Sequence, residues 1–155
     1  MDIKNATRCS GRNIHKVEAW HDLSSESSNQ DTCEIMLIGF FDSPDQVARL
    51  IADYEQLPGF SLPDCKFCVV EYAFDVCDTQ SIDEVYYVQD WLYNSISGEE
   101  KSNEVGLYLS MEEAEQAERN YQINCPTVPR GFQRSIIIDT YIVNKRYWSE
   151  GFVTV

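Results

Sequence analysis

Cys65-Lys66-Phe67-Cys68 is the tightest grouping of side chains in the chain that could hold a metal or exchange a disulfide. A structural zinc site needs two such pairs, or one pair with two histidines at fixed spacing. The only histidines, His15 and His21, lie far upstream, flanking a predicted first strand. A redox C-x-x-C motif should sit between a strand and a helix N-terminus, where its thiolate is stabilised. This pair instead enters a predicted strand. The other cysteines, Cys9, Cys33, Cys77 and Cys125, follow no ligand spacing. In a reducing compartment the six are expected to be mostly free thiols.

Carboxylates are the other chemically capable groups. Glu71/Asp75 and Asp139 could serve acid–base work if a fold paired them. Acidic residues are so frequent that such pairs arise by chance. No Gly-x-Ser-x-Gly elbow, no Cys–His context and no phosphate-binding glycine loop accompanies them. The sequence therefore assigns no catalytic residue and no metal ligand, and predicts no cofactor. The expectation is that the chain is not an enzyme.

What stands out is the amount of acid. Among 155 residues, 26 Asp and Glu face 12 Lys and Arg, a formal net charge of −14. The acid is even: 14 against 6 in residues 1–78, and 12 against 6 in residues 79–155. Direct binding to nucleic acid is not expected, because neutralising phosphates takes clustered cations. The same field draws in a basic protein and speeds its docking. Glu112, Glu115 and Glu118 recur every third residue on a predicted helix, and with Glu99 and Glu100 in the preceding loop they make the densest acidic surface. These five are the candidate partner-binding residues.

The elements that must carry them come in two similar series. Lys16-Val17-Glu18-Ala19-Trp20 parallels Tyr87-Val88-Gln89-Asp90-Trp91, each a strand ending at a tryptophan. Polar loops follow, Ser24 to Thr32 and Ser95 to Asn103. Second strands come next around Gly39 and Gly106, and a glycine inside a strand marks a bulge or a close backbone approach. Ser43 and Ser110 then cap helices, with Gln46 and Glu113 three residues on completing capping boxes and Pro44 at a first helical position. Val47, Leu50, Ile51 and Tyr54 form an apolar stripe on the first helix. Ala114, Ala117 and Tyr121 form a weaker one on the second. Third strands run Phe67 to Tyr72 and Ile136 to Tyr141.

The expected fold class is α+β: two ββαβ repeats packed as one pseudo-symmetric body, with helices covering an antiparallel or mixed sheet. Residues 1–13 read as a flexible N-terminal arm, 14–77 as the first repeat, 78–84 as a linker and 85–155 as the second repeat. Tyr147-Trp148-Ser149-Glu150-Gly151-Phe152 reads as a C-terminal aromatic lock folded back on the sheet, with Gly151 making the turn.

The strand Val85 to Tyr93, the Val105-Gly106-Leu107-Tyr108-Leu109-Ser110 turn into a helix, the strand ending at Tyr141 and the Trp148-x-x-Gly151-Phe152 close together resemble the DUF7336 type of small bacterial protein. The first half matches in part, through Gly39, its helix and Leu57-Pro58-Gly59-Phe60. The resemblance implies a compact α+β fold and carries no activity.

A polar N-terminus without an apolar stretch, and a longest apolar run of only Ile35 to Phe41, predict no secretory signal and no membrane span, hence a cytoplasmic protein. Small size, acidity and a duplicated scaffold lead to one functional expectation. It is an acidic binding protein of the immunity or inhibitor kind, occluding a basic toxin, for instance a nuclease, by steric and electrostatic blockade. A phage or mobile-element anti-defence protein that mimics nucleic acid or blocks an effector is the alternative, and an enzyme with an unrecognised site is a third.

Overall fold

The computed structural model describes residues 9–22, 33–60, 64–77 and 80–151. Its elements in chain order are β1 (Cys9–Asp22), β2 (Cys33–Phe41), α1 (Pro44–Glu55), β3 (Cys65–Cys77), β4 (Glu84–Asn94), β5 (Glu100–Tyr108), α2 (Met111–Asn124) and β6 (Phe132–Ile142). The class is α+β, with two three-stranded sheets ordered β2-β1-β3 and β5-β4-β6. All four strand pairings are antiparallel, so neither sheet is mixed. The chain divides into two compact units: residues 1–81 together with 143–155, and residues 82–142.

In the first unit β1 is the centre strand and its alternate residues Val17 and Ala19 enter the core beside Ile38, Phe41, Val47, Leu50, Tyr54 and Phe60. The apolar stripe of α1 supplies three of these, at the spacing that lines one helical face. Ser43 starts the helix as expected, its Oγ accepting from the Gln46 amide at 3.4 Å. The β1–β2 register slips between Val17 and Glu18, which face Gly39 and Leu37, leaving Ile38 as an extra residue beside Gly39. Residues 9–13, assigned to an arm because they are polar, are strand: they pair with residues 73–77 of β3. The loop expected at Ser24 to Thr32 lies outside the described residues.

The second unit uses the same devices. Ser110 Oγ accepts from the Glu113 amide at 3.2 Å. The β4–β5 register slips between Val88 and Gln89, facing Gly106 and Glu104, so Val105 is the extra residue. The glycine in each second strand thus sits at a bulge, where the extra residue bends the strand. The first strands do not stop at Trp20 and Trp91 but run on to Asp22 and Asn94. The connection expected over Ser95 to Asn103 is also shorter. Asn94 Oδ1 accepts from the Ile96 and Ser97 amides at 3.0 and 3.2 Å, Gly98 takes φ 74°, and β5 begins at Glu100. An Asx turn closed by a left-handed glycine makes a tight hairpin, and so frees residues 100–103 to pair.

The segment after β6 belongs to the first unit, not to the strands that precede it. β2 is an edge strand, and this segment runs along its open side. The Asn144 amide donates to the Phe40 carbonyl and the Tyr147 amide to the Ile38 carbonyl, both at 2.7 Å, while Asn144 Oδ1 accepts from the Asp42 amide at 3.2 Å. Gly39 lies so close to the Lys145 carbonyl that a side chain there would collide with it. The Trp148 ring meets Phe60 edge-on, centroids 5.0 Å apart at 74°, and the Trp148 carbonyl accepts from Tyr54 Oη at 2.9 Å. Gly151, at φ 81°, passes against Gly59 with no room for a Cβ. The aromatic segment therefore closes the first unit. Phe152 lies outside the described residues.

Candidate functional site

The five acidic candidates lie in the second unit. Glu99 and Glu100 stand exposed at the β4–β5 hairpin, and Glu99 pairs with Lys101 at 3.5 Å. Glu112 is at the far end of β5, where α2 begins. Eight residue-to-residue steps at about 3.3 Å put roughly 25 Å of strand between the hairpin and that end. Glu112 and Glu115 are exposed and Glu118 is half-buried, since a three-residue repeat drifts around a helix with 3.6 residues per turn. Among the described residues no ion pair reaches Glu112, Glu115 or Glu118. The structure thus presents a helical row and a separate hairpin pair.

A buried ionic network, not foreseen from the sequence, lies beneath that helix. Asp90 on β4 has no solvent exposure. One of its oxygens accepts from Arg134 Nε of β6 at 2.9 Å and the other from Tyr121 Oη of α2 at 2.7 Å. The same guanidinium donates to Cys125 Sγ at 2.8 Å and to the Pro126 carbonyl at 2.6 Å. Both oxygens of this buried carboxylate are thus hydrogen-bonded. The hydrogen bond to Asp90, then burial, raises the pKa of Tyr121; the bond to Asp90 likewise raises that of Arg134 and keeps it charged. This network fastens α2, whose only fully buried apolar side chain is Ala114. In the first unit the position of Asp90 is Ala19, that of Arg134 is Cys65, and the tie is hydrophobic. The signal was a single carboxylate in an otherwise apolar strand face, Tyr86, Val88, Asp90 and Leu92.

Between β5 and the flank of α2 runs an open groove of about 990 Å³, lined by Val105, Tyr108, Glu112, Glu113, Ala117 and Tyr121, among others. Arg119 is the one cation on its wall, its Nη2 bonded to Gln116 Oε1 at 2.9 Å. Burial, then the nearby Glu104 and Glu113, raises the pKa of Tyr108. Among the described residues β5 has a strand on one side only.

The remaining candidates are scattered. Cys65 and Cys68 are three apart on β3, hence on opposite faces, and both are free thiols. Burial raises the pKa of Cys65, which makes it a poorer nucleophile at neutral pH. His15 and His21 share a face of β1 but stand about 20 Å apart along it, too far to share a metal ion. His21 Nδ1 lies 3.9 Å from Glu34, while buried His15 Nε2 has no hydrogen-bond partner among the described residues. Glu71 and Asp75 are both exposed and about 13 Å apart on β3, beyond sharing a proton. No group of three or more metal-capable side chains occurs among the described residues, and no described helix is long and apolar enough to cross a membrane. No protein-family model, no curated protein and no solved structure matches the chain.

Proposed function

We propose that the chain is an acidic protein-binding module of the immunity or inhibitor kind, acting in the cytoplasm to cover the basic working surface of a toxin, for instance a nuclease. The observation that supports this reading is the row Glu112, Glu115 and Glu118, which forms no ion pair among the described residues, the neighbouring Arg119 being bonded to Gln116 instead, in a chain of net charge −14. The corresponding residues of α1 are Asp45, Ala48 and Ile51, so the acidic row belongs to the second unit alone. Carboxylates in excess on one helix raise the local concentration of a cationic partner and steer its approach. Identical element order, sheet order, N-capping and bulge position support a duplicated, pseudo-symmetric ββαβ scaffold. In that reading the second copy has diverged for binding.

The test is recovery of the partner from the native host with the full chain as bait, followed by kinetics on the purified pair. Binding should abolish the partner's activity. Reversing Glu112, Glu115 and Glu118 to lysine should slow association at low salt by about tenfold or more. An unchanged association rate, or a bound partner that keeps its activity, would sink the reading.

A further inference from the structure

The first unit shows what its own edge groove accepts. Counting from the shared landmarks Gly39/Gly106, Ser43/Ser110 and Tyr54/Tyr121, the groove walls Val105, Asn120 and Tyr121 correspond to Ile38, Asp53 and Tyr54. Those three are the residues on which the segment after β6 is seated. Ile38 accepts its Tyr147 amide, Asp53 Oδ2 pairs with Arg146 at 3.4 Å, and Tyr54 donates to the Trp148 carbonyl. The segment is basic and aromatic, Asn144-Lys145-Arg146-Tyr147-Trp148, and enters through a turn at Asn144, φ 71°. In the second unit the matching groove is open.

We propose that the groove between β5 and α2 receives a segment of a protein partner in which basic residues precede aromatic ones, hydrogen-bonded to the edge of β5 as residues 144–148 are to that of β2. An open edge strand offers a row of unused amides and carbonyls, and adding a strand to it is a general mode of peptide recognition. By the register of the first unit, Val105 and Leu107 supply the carbonyls and Leu109 the amide. Charge agrees, since the helix-side wall carries Glu112 and Glu113 against Arg119 alone, and Glu104 adds its field beside Tyr108. One contact differs. Tyr121 Oη is held by Asp90, so recognition falls on the strand edge, the carboxylates and the apolar floor at Ala117. The inference rests on the reading of the chain as a binder of a basic partner, and names the segment that would be gripped.

The probe is a fluorescein-labelled synthetic peptide with the sequence of residues 142–151, added to the full chain and followed by anisotropy and amide NMR shifts. Saturable binding is expected, with shifts at Val105, Leu107 and Leu109. Filling the floor with Ala117→Phe should weaken it at least tenfold. Glu112→Gln/Glu113→Gln, which leaves the floor untouched, should weaken it several-fold at low salt, and Glu115→Gln/Glu118→Gln should not. Three results would overturn the inference: no saturation up to about 1 mM, the affinity of a contact too weak to matter; binding indifferent to the groove variants; or shifts confined to residues 38–42, which mark simple exchange with the chain's own segment. Loss of binding only in Glu115→Gln/Glu118→Gln would remove the groove and leave the acidic helix face as the partner surface.

Discussion

Replacing Trp148 by alanine should loosen the first unit and spare the second, although Trp148 follows the second unit's last strand. The ring is partly buried against Phe60, at 5.0 Å between centroids. Removing about 100 Å² of apolar contact, at roughly 25 cal/mol per Å², loses about 2.5 kcal/mol. The edge-on ring contact adds about 0.5 kcal/mol. Freeing the side chain from its fixed rotamer returns about 1 kcal/mol. The Tyr54-to-Trp148 bond uses a backbone carbonyl and survives the change. The net loss is therefore about 2 kcal/mol, equivalent to roughly 30-fold faster opening. Native-state hydrogen exchange reads this by element: amides of β2 and α1 should exchange about 30-fold faster, and those of β4 and β5 within about twofold of the parent. If β4 and β5 lose as much protection as β2, the assignment of this segment to the first unit is refuted. If β2 changes less than about threefold, the Trp148 contact carries little of the energy ascribed to it.

Gly39→Ala tests the same closure from the other side, because a Cβ there strikes the Lys145 carbonyl. The Asn144 and Tyr147 amides should lose their protection, at a cost of about 1–3 kcal/mol for the two hydrogen bonds, and protected amides in the variant would contradict the geometry. In the second unit, Asp90→Ala should cost about 3 kcal/mol, because it orphans the Tyr121 hydroxyl and an internal cation. Asp90→Ala/Arg134→Leu, which approaches the apolar arrangement of the first unit, should recover more than half of that in urea denaturation; additive losses would refute the coupling. Tyr54, Tyr108 and Tyr121 all have raised pKa values, the first two chiefly by burial and the third chiefly by its bond to Asp90. Folding favours their neutral form, so this contribution is complete below the unfolded value near 10 and is lost as pH rises through the folded values. The urea midpoint should fall above pH 10, and absorbance at 295 nm should show these rings ionising after the exposed tyrosines; early ionisation of Tyr121 would break the link to Asp90.

Local rules made much of the fold legible. Ser43 and Ser110 announce helices because a cap oxygen and a following Gln or Glu satisfy orphan amides without help from distant residues. Gly39 and Gly106 announce bulges for an equally local reason. Strand ends were less legible, since extension beyond Trp20 and Trp91 and back to Cys9 depends on partners in β3 and β6. The destination of residues 143–151 was not legible either. An aromatic segment must cover some edge, and its sequence does not say which of two edges it will meet. Asp90 escaped notice because acid is abundant throughout the chain. Its burial emerges only from the company of Val88 and Leu92 on the same strand face.

The two units differ most at one tyrosine. Tyr54 and Tyr121 occupy the same place on their helices, each with one hydroxyl proton to donate. Where β1 offers Ala19, Tyr54 turns its proton to the Trp148 carbonyl and helps to hold the segment after β6 in the edge groove. Where β4 offers Asp90, Tyr121 turns inward to a charged acceptor, which outcompetes a neutral peptide carbonyl by roughly twofold in hydrogen-bond strength. The hydroxyl is thereby removed from the groove, while α2 gains the anchoring that its sparse apolar stripe cannot supply. Asp90 in a central strand, paired with Arg134 on the next, thus anchors a weakly amphipathic helix and leaves its edge groove without the tyrosine contact that Tyr54 makes in the first unit. A helix held from beneath by an ionic network needs few apolar residues. Its outward positions are then free to carry acid, as Glu112 and Glu115 do, at no expense to the core.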